Sequence, residues 1–200
     1  INGFSMPYLD IAALRTTPLK TEPYDYLVVP DFVRAERFPA VVADYPSVPG
    51  AGSHPLPELD IRGDFAGLIE ELNGAEFRSA IEDKFGIDLN SRPTMFTVRG
   101  ECRANDGKIH TDSATKLITV LLYMNEKWDV DGGRLRILRN GTDLNDYVEE
   151  VPPYGGTPRQ APPAVDADTP PVGWTAEEWQ AVPIEQRRAF AAAAATGPGV

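Results

Sequence analysis

The sequence predicts a mainly β domain with flanking helices, an α+β fold, and three observations lead to this prediction. In the first half of the chain, apolar residues recur at helical spacing between Phe65 and Phe85. From Pro93 onward the apolar period changes towards two, which is typical of strands. Turn signals such as Asn140-Gly141 separate the short strands, and this combination favours a barrel or a sandwich.

The composition fits one globular domain without a nucleic-acid or membrane partner. The chain has 200 residues, of which 42% are hydrophobic, and this length suffices to bury a core. Its net charge of -11 argues against nucleic acid, because phosphate binding needs a basic face. No apolar run reaches the roughly 18 residues that a membrane-spanning helix needs, and no signal peptide is evident. The single Cys102 fits a reducing compartment, so we expect a cytoplasmic protein.

The N-terminal part is predicted to contain a short strand, a helix and a loop. Residues 26–29 are predicted as the strand, and Asp31 is predicted to cap a helix over 33–44. Residues 45–57 hold four prolines and two glycines, so we predict a loop there. His54 lies in this loop, where we expect it to be exposed or bonded to backbone; the alternative is a substrate contact.

Two further helices are predicted from apolar residues that share one face. The stripe of the first is Phe65, Leu68, Ile69 and Leu72, and that of the second is Phe77, Ile81 and Phe85. Asn73-Gly74 and Gly86 are predicted to end these helices. We expect both helices to pack on one face of a sheet.

The second half of the domain is predicted to consist of strands joined by turns. The predicted strands cover 95–99, 109–112, 117–124, 134–138 and 147–151. The predicted turns lie at 105–107, 140–141 and 152–156. The stretch 117–124 is nearly continuously apolar, so we expect a strand that is covered on both sides.

The composition changes at Pro158, which divides the chain into a domain over 6–157 and a tail over 158–200. The 43 residues of the tail contain 11 Ala and 7 Pro but no Leu, which is unusual for a globular segment. We expect 158–173 to be disordered or extended, without regular structure, and a capping-box pattern at 175–178 predicts a helix over about 176–195. Two explanations stay open: read-through of a shifted or rearranged gene, or a genuine substitute C-terminus.

The pair His110 and Asp112 is the strongest candidate for chemistry. In an extended strand, positions i and i+2 point to the same face, so an imidazole and a carboxylate can converge on one ion. A His-x-Asp pair supplies two-thirds of the 2-His-1-carboxylate triad that non-haem iron(II) oxygenases use.

Residues from about 6 to 157 resemble the iron(II)- and 2-oxoglutarate-dependent oxygenases, in particular their prolyl-hydroxylase-like branch. The resemblance lies in the order and spacing of five stretches: Val98-Arg99-Gly100, His110-Thr111-Asp112, Thr119-x-x-x-Tyr123-x-Asn125, Gly132-Gly133 and Val151-Pro152-Pro153-Tyr154-Gly155-Gly156-Thr157. It implies a double-stranded β-helix, or jelly roll, with flanking helices, here incomplete at the C-terminus.

The resemblance also implies a site, a cosubstrate and a reaction. His110 and Asp112 would ligate iron(II), and 2-oxoglutarate and dioxygen would be consumed to hydroxylate a small-molecule or peptide substrate. Tyr123 matches a position whose hydroxyl reaches the distal carboxylate of 2-oxoglutarate; the alternative is a core tyrosine. Arg99 matches a strand that lines the pocket, so it would bind cosubstrate or substrate; the alternative is a surface arginine. Lys116 is predicted to lie beyond reach of the iron.

The family's second histidine and its basic 2-oxoglutarate-binding residue would follow Asp112. The chain has two histidines, and the other one, His54, lies upstream. We therefore expect weak activity or none. Two other functions stay open, a non-catalytic jelly-roll binding module and a cupin-like metalloprotein of another reaction class.

Overall fold

A computed structural model describes residues 6–103, 107–130, 132–153, 159–160 and 175–181. The chain divides into two compact units. The first unit contains the described residues up to 135 together with 151–153, and the second contains 136–150, 159–160 and 175–181. Each unit contains at least one helix or sheet, and an α+β mixture is therefore confirmed.

Helices dominate the first unit. They are α1 at Ile11–Thr16, α2 at Phe38–Ala43, α3 at Gly63–Leu72 and α4 at Ala75–Phe85. The apolar stripes predicted α3 and α4, and both are confirmed. Gly86 ends α4 at a φ of 63°, a left-handed conformation that glycine adopts without a steric cost.

These helices pack mainly on one another, so the prediction that α3 and α4 cover a sheet is wrong. Helix α3 contacts α2 and α4, and α4 also contacts α1. The buried core is apolar throughout, and it consists of Leu9, Ile11, Leu14, Val33, Val41, Phe65, Leu68, Leu72, Ala80, Ile81 and Val98. Val98 comes from a strand, so the first sheet contributes to the helical core at its edge.

The segment before α1 is fixed to α3 by side chains of that helix. The carboxylate of Glu71 accepts the backbone N–H groups of Tyr8 at 2.7 Å and of Leu9 at 3.0 Å. The Tyr8 hydroxyl donates to Asp64 at 2.9 Å, and Arg37 pairs with the same carboxylate at 2.8 Å. These contacts hold the segment that contributes Leu9 to the core.

Two short strands form an antiparallel pair in the first unit. Strand β1 covers Ser53–Pro55 and β2 covers Thr97–Arg99, with His54 opposite Val98. A 3₁₀ turn at Leu56–Glu58 follows β1 directly. The predicted loop over 45–57 therefore contains a strand. Pro55 is compatible with this strand because it lies at the strand end, where a missing N–H is tolerated.

Most residues of a three-stranded sheet of order β3-β4-β5 belong to the second unit. Its strands are Leu135–Leu138, Tyr147–Val151 and Arg159–Gln160, and β4 pairs with β5 in the antiparallel direction. Arg136 Nε pairs with the buried carboxylate of Glu150 at 2.9 Å. The predicted strand over 147–151 is confirmed. The predicted turn at 140–141 falls in a bend over 139–142, and the turn between β3 and β4 lies at 144–145. In the described part of the chain neither sheet closes into a barrel, so the jelly roll stays a prediction.

The predicted strands over 109–112 and 117–124 are wrong. Residues 107–124 are all described, and none of them belongs to a strand. The apolar side chains divide between two environments: Ile118 and Leu122 pack on the core, whereas Leu117 and Leu121 are 54% and 59% exposed. A strand needs a neighbour to satisfy its backbone, and no described strand pairs with this stretch.

Two N-terminal predictions also need correction. The helix predicted over 33–44 begins only at Phe38, because Arg37 N–H bonds back to Arg34 at 2.9 Å in a separate turn. Asp31 lies in a turn at a φ of 52° and does not cap that helix. The strand predicted over 26–29 is limited to a single bridge between Lys20 and Tyr26.

The predicted tail is described at only two places. Arg159–Gln160 forms β5, so the expectation of no regular structure over 158–173 is wrong for these two residues. Helix α5 covers Ala176–Ala181, the first part of the helix predicted over 176–195. The remainder of the tail and most of the turns predicted at 105–107 and 152–156 lie outside the described residues. Among the helices that are described, none has the length and apolar character needed to cross a membrane.

Candidate metal centre

The two predicted iron ligands lie in an irregular part of the first unit, after β2. His110 and Asp112 are both exposed. The chain turns just after them: Lys116 N–H donates to Ser113 O at 2.9 Å, and the hydroxyls of Ser113 and Thr115 lie 2.9 Å apart. This turn brings the following residues back towards Asp112, which a continuous strand would not do.

The imidazole of His110 is held in one tautomer by a backbone contact. Its Nδ1 lies 2.6 Å from the carbonyl oxygen of Lys108. Because a carbonyl oxygen only accepts, Nδ1 must donate the proton in this hydrogen bond. In the neutral ring the free lone pair is then on Nε2, as in histidines whose other nitrogen binds a metal. His110 is therefore in a form that can coordinate a cation through Nε2.

The carboxylate of Asp112 accepts a hydrogen bond at each oxygen. Thr119 Oγ1 donates to Oδ2, and Lys116 Nζ lies 3.0 Å from Oδ1. The Thr119 hydrogen bond, and after it the Lys116 hydrogen bond, hold the pKa of Asp112 below its usual value. The carboxylate therefore stays ionised, which is the state that coordinates a metal.

Tyr123 lies further along the same segment and is half-buried. Burial raises the pKa of its phenol, and Cys102 shifts the pKa in the same direction. The phenol is therefore neutral near pH 7 and can donate a hydrogen bond. Its neighbours Leu122 and Met124 pack against the core, so the first unit fixes this part of the segment.

Arg99 is the last residue of β2 and is exposed. Its Nη2 donates to Ser53 Oγ at 3.2 Å, and its carbonyl accepts the Tyr45 hydroxyl at 3.0 Å. Ser53 is the residue opposite Arg99 in the β1–β2 register, which explains the side-chain contact. The guanidinium is thus positioned by the first sheet.

Asn125 joins two of the stretches that carry the resemblance. Its Nδ2 donates to the carbonyl oxygen of Pro153 at 2.6 Å. Pro153 is buried and lies two residues after Val151, the last residue of β4. The hydrogen bond therefore links the segment of Tyr123 to the stretch that begins at Val151, a role that the sequence pattern did not assign to Asn125.

Two cavities of the first unit lie away from the predicted site residues. One of about 290 Å³ is lined by residues of α1 and α4, including Arg15 and Lys84. Another of about 120 Å³ lies beside the end of α2 and is lined by Tyr45 and Arg62. Neither is lined by a predicted site residue, and His110 and Asp112 are themselves exposed.

Comparison with known proteins assigns no family to this arrangement. No family model matches the chain, and no curated protein or solved structure matches it. The features that bear on function are the side chains between 108 and 125 and the order of the motifs.

Sequence reasoning missed both donors to Asp112. We predicted Lys116 to lie beyond reach of the iron, but its ammonium lies 3.0 Å from the predicted ligand. In a strand, four residues separate two side chains by about 13 Å, which is why the strand prediction excluded this contact. Thr119 was part of the motif and had no assigned role. Of residues 113–115 only Ser113 is a common turn residue, so the sequence carried at most a weak signal for this contact.

The donor set fits iron(II) in part. An imidazole nitrogen and an ionised carboxylate are the ligand types that non-haem iron(II) prefers. Among the residues that the structure describes, no group of three or more His, Cys, Asp or Glu side chains is placed to hold a metal. A cation bound here would therefore depend on two protein ligands, His110 and Asp112, within the described part.

Proposed function

We propose that this chain is a non-haem iron(II)- and 2-oxoglutarate-dependent dioxygenase of the hydroxylase type, with an iron site reduced to two ligands. The observation that carries the proposal is the hydrogen bond from His110 Nδ1–H to Lys108 O, at 2.6 Å. In the neutral imidazole this hydrogen bond leaves the lone pair on Nε2, two residues from the ionised Asp112. The order of the motifs over 98–157 supports the same assignment.

The proposal includes a jelly-roll fold for residues 6–157. The two small antiparallel sheets are compatible with parts of such a fold. The hydrogen bond from Asn125 to Pro153 O joins two of the motifs within the first unit, as expected if both motifs belong to one domain. The exposed Leu117 and Leu121 would then lie where further strands of the jelly roll pack.

Each proposed site residue has a distinct task. His110 and Asp112 would hold the iron, which together with bound 2-oxoglutarate supplies the oxidising chemistry for C–H hydroxylation. Tyr123, whose phenol stays neutral, would donate a hydrogen bond to a carboxylate of 2-oxoglutarate. Arg99 would pair with a carboxylate of the cosubstrate or the substrate, because a guanidinium binds carboxylates through two parallel hydrogen bonds.

The missing second imidazole limits the activity that we expect. Loss of a residue that merely supports a metal ligand typically costs about 10- to 100-fold in affinity. Loss of a ligand itself should cost at least as much. A site with two protein ligands should therefore bind iron(II) more weakly than an intact three-ligand site, and turnover should be slow. The substrate stays at the level of a small molecule or a peptide.

A second candidate is a non-catalytic binding module on the same fold. It is favoured by the contacts of Asp112, whose two oxygens already accept protein hydrogen bonds from Thr119 and Lys116. A carboxylate satisfied in this way is stable without a metal.

Conversion of 2-oxoglutarate to succinate tests the proposed function. We expect slow, iron-dependent succinate formation that is lost in His110→Ala and retained in His54→Gln, which alters the other histidine. Iron binding without succinate formation would favour a cupin-like metalloprotein of another reaction class. If neither iron binding nor succinate formation occurred, the binding module would be correct.

A further inference from the structure

The two hydrogen-bond donors of Asp112 differ in charge. Lys116 brings a cation to Oδ1 at 3.0 Å, whereas Thr119 brings a neutral hydroxyl to Oδ2. A divalent cation that binds Asp112 repels an ammonium at contact distance, but it does not repel a hydroxyl. The two donors therefore cannot respond to a metal in the same way.

We propose that Lys116 is an internal competitor of the metal: its ammonium occupies Asp112 in the metal-free protein and must leave when the metal binds. This inference rests on the proposed function, because it takes Asp112 as a metal ligand. Thr119 carries no charge, so it would stay in place and orient the carboxylate through its hydrogen bond to Oδ2. Metal-free protein thus avoids an unpaired carboxylate beside His110.

Because the Lys116–Asp112 ion pair is exposed, replacing the ammonium by a metal ion costs little free energy. The side chains of Lys116 and Asp112 are 43% and 38% exposed, so water can solvate the ammonium once it has left. Exposed ion pairs of this kind are weak. We therefore expect competition by Lys116 to lower the iron(II) affinity by only about two- to five-fold. The hydroxyl of Thr119 acts in the opposite direction, since groups that orient a metal ligand typically contribute about 10- to 100-fold in affinity.

The chain offers a matched set of variants. Lys116→Met removes the competing charge and retains the length of the side chain, while Lys116→Arg retains the cation. Thr119→Val removes the hydroxyl at nearly constant volume. Lys127→Met changes the net charge by the same amount as Lys116→Met, but Lys127 pairs with Asp129 at 3.2 Å and not with Asp112.

Iron(II) affinity of the full-length chain, measured by anaerobic calorimetric titration, tests the inference. We expect Lys116→Met to bind iron(II) about two- to five-fold more tightly than the wild type. Lys116→Arg and Lys127→Met should remain close to the wild type, and Thr119→Val should bind at least about 10-fold more weakly.

The possible failures are distinguishable. If His110→Ala abolished binding but Lys116→Met bound like Lys127→Met or more weakly, the competition would be refuted and the metal site would stand. If no variant bound iron(II), the proposed function would be wrong and the competition with it. If Lys116→Met and Lys127→Met tightened binding equally, net charge would explain the effect and the specific contact would not.

Discussion

Glu71 should be the residue of α3 on which the N-terminal segment depends most. Its carboxylate accepts two consecutive backbone N–H groups, those of Tyr8 at 2.7 Å and Leu9 at 3.0 Å. Leu9 is only 1% exposed and belongs to the core, so water cannot easily replace the carboxylate there. The perturbation that we consider is Glu71→Gln, with Glu71→Ala as the larger change.

The expected loss in the free energy of unfolding follows from the two hydrogen bonds. An amide oxygen can still accept one N–H, but the amide NH₂ faces the other N–H as a second donor. Glu71→Gln therefore loses one hydrogen bond to a charged group, which should lower the free energy of unfolding by about 1.5–3 kcal/mol. Glu71→Ala loses both bonds and leaves a buried N–H without a partner, so about 3–5 kcal/mol is expected.

Urea unfolding and amide hydrogen exchange measure these losses together. The control is Glu70→Gln, which neutralises the exposed neighbour of Glu71 on the same helix. Exchange at the Tyr8 and Leu9 amides should accelerate in Glu71→Gln and stay unchanged in Glu70→Gln. Equal stability of the two variants to within about 0.5 kcal/mol, with unchanged exchange at both amides, would refute the reasoning.

Three further predictions concern packing, pH and a buried ion pair. A Cβ on Gly67 would lie 2.5 Å from the Tyr8 hydroxyl, so Gly67→Ala should destabilise the protein by about 1–3 kcal/mol in thermal melts. In a Tyr8→Ala background the clash is absent, and the same substitution should stabilise the protein by up to about 1 kcal/mol. The raised pKa of Tyr123 means that its stabilising contribution is full below about pH 10 and is lost as the pH rises through the folded-state pKa. Tyr123→Phe should remove that loss in alkaline unfolding experiments. Arg136→Met should destabilise by about 1–3 kcal/mol in urea by removing a partner of Glu150, and adding Glu150→Gln should recover most of it.

The parts of the fold that sequence predicted are those with a strong local pattern. The apolar stripe from Phe65 to Leu72 spans a full helix, and Tyr147–Val151 is a complete strand between turn signals. Helix α1 was missed because its six residues offer too short a period to recognise. Its start was nevertheless encoded, since Asp10 Oδ1 accepts the Ala13 N–H at 2.9 Å as an N-cap.

The stretch over 117–124 shows why apolar composition alone does not define a strand. Its residues have high strand propensity, but a strand also needs a partner, and that partner is a property of the tertiary structure. The same limit applies to the site. The spacing of His110 and Asp112 indicated a ligand pair, whereas the approach of Lys116 and Thr119 depends on a turn that the sequence pattern did not predict.

Anaerobic iron(II) titration of the wild type and His110→Ala, each with and without 2-oxoglutarate, shows whether His110 and Asp112 bind iron(II). We expect saturable binding to the wild type, tighter in the presence of 2-oxoglutarate, and no saturable binding to His110→Ala. His54→Gln should behave like the wild type. Equal iron(II) binding by the wild type and His110→Ala would contradict the assignment of His110 and Asp112 as ligands.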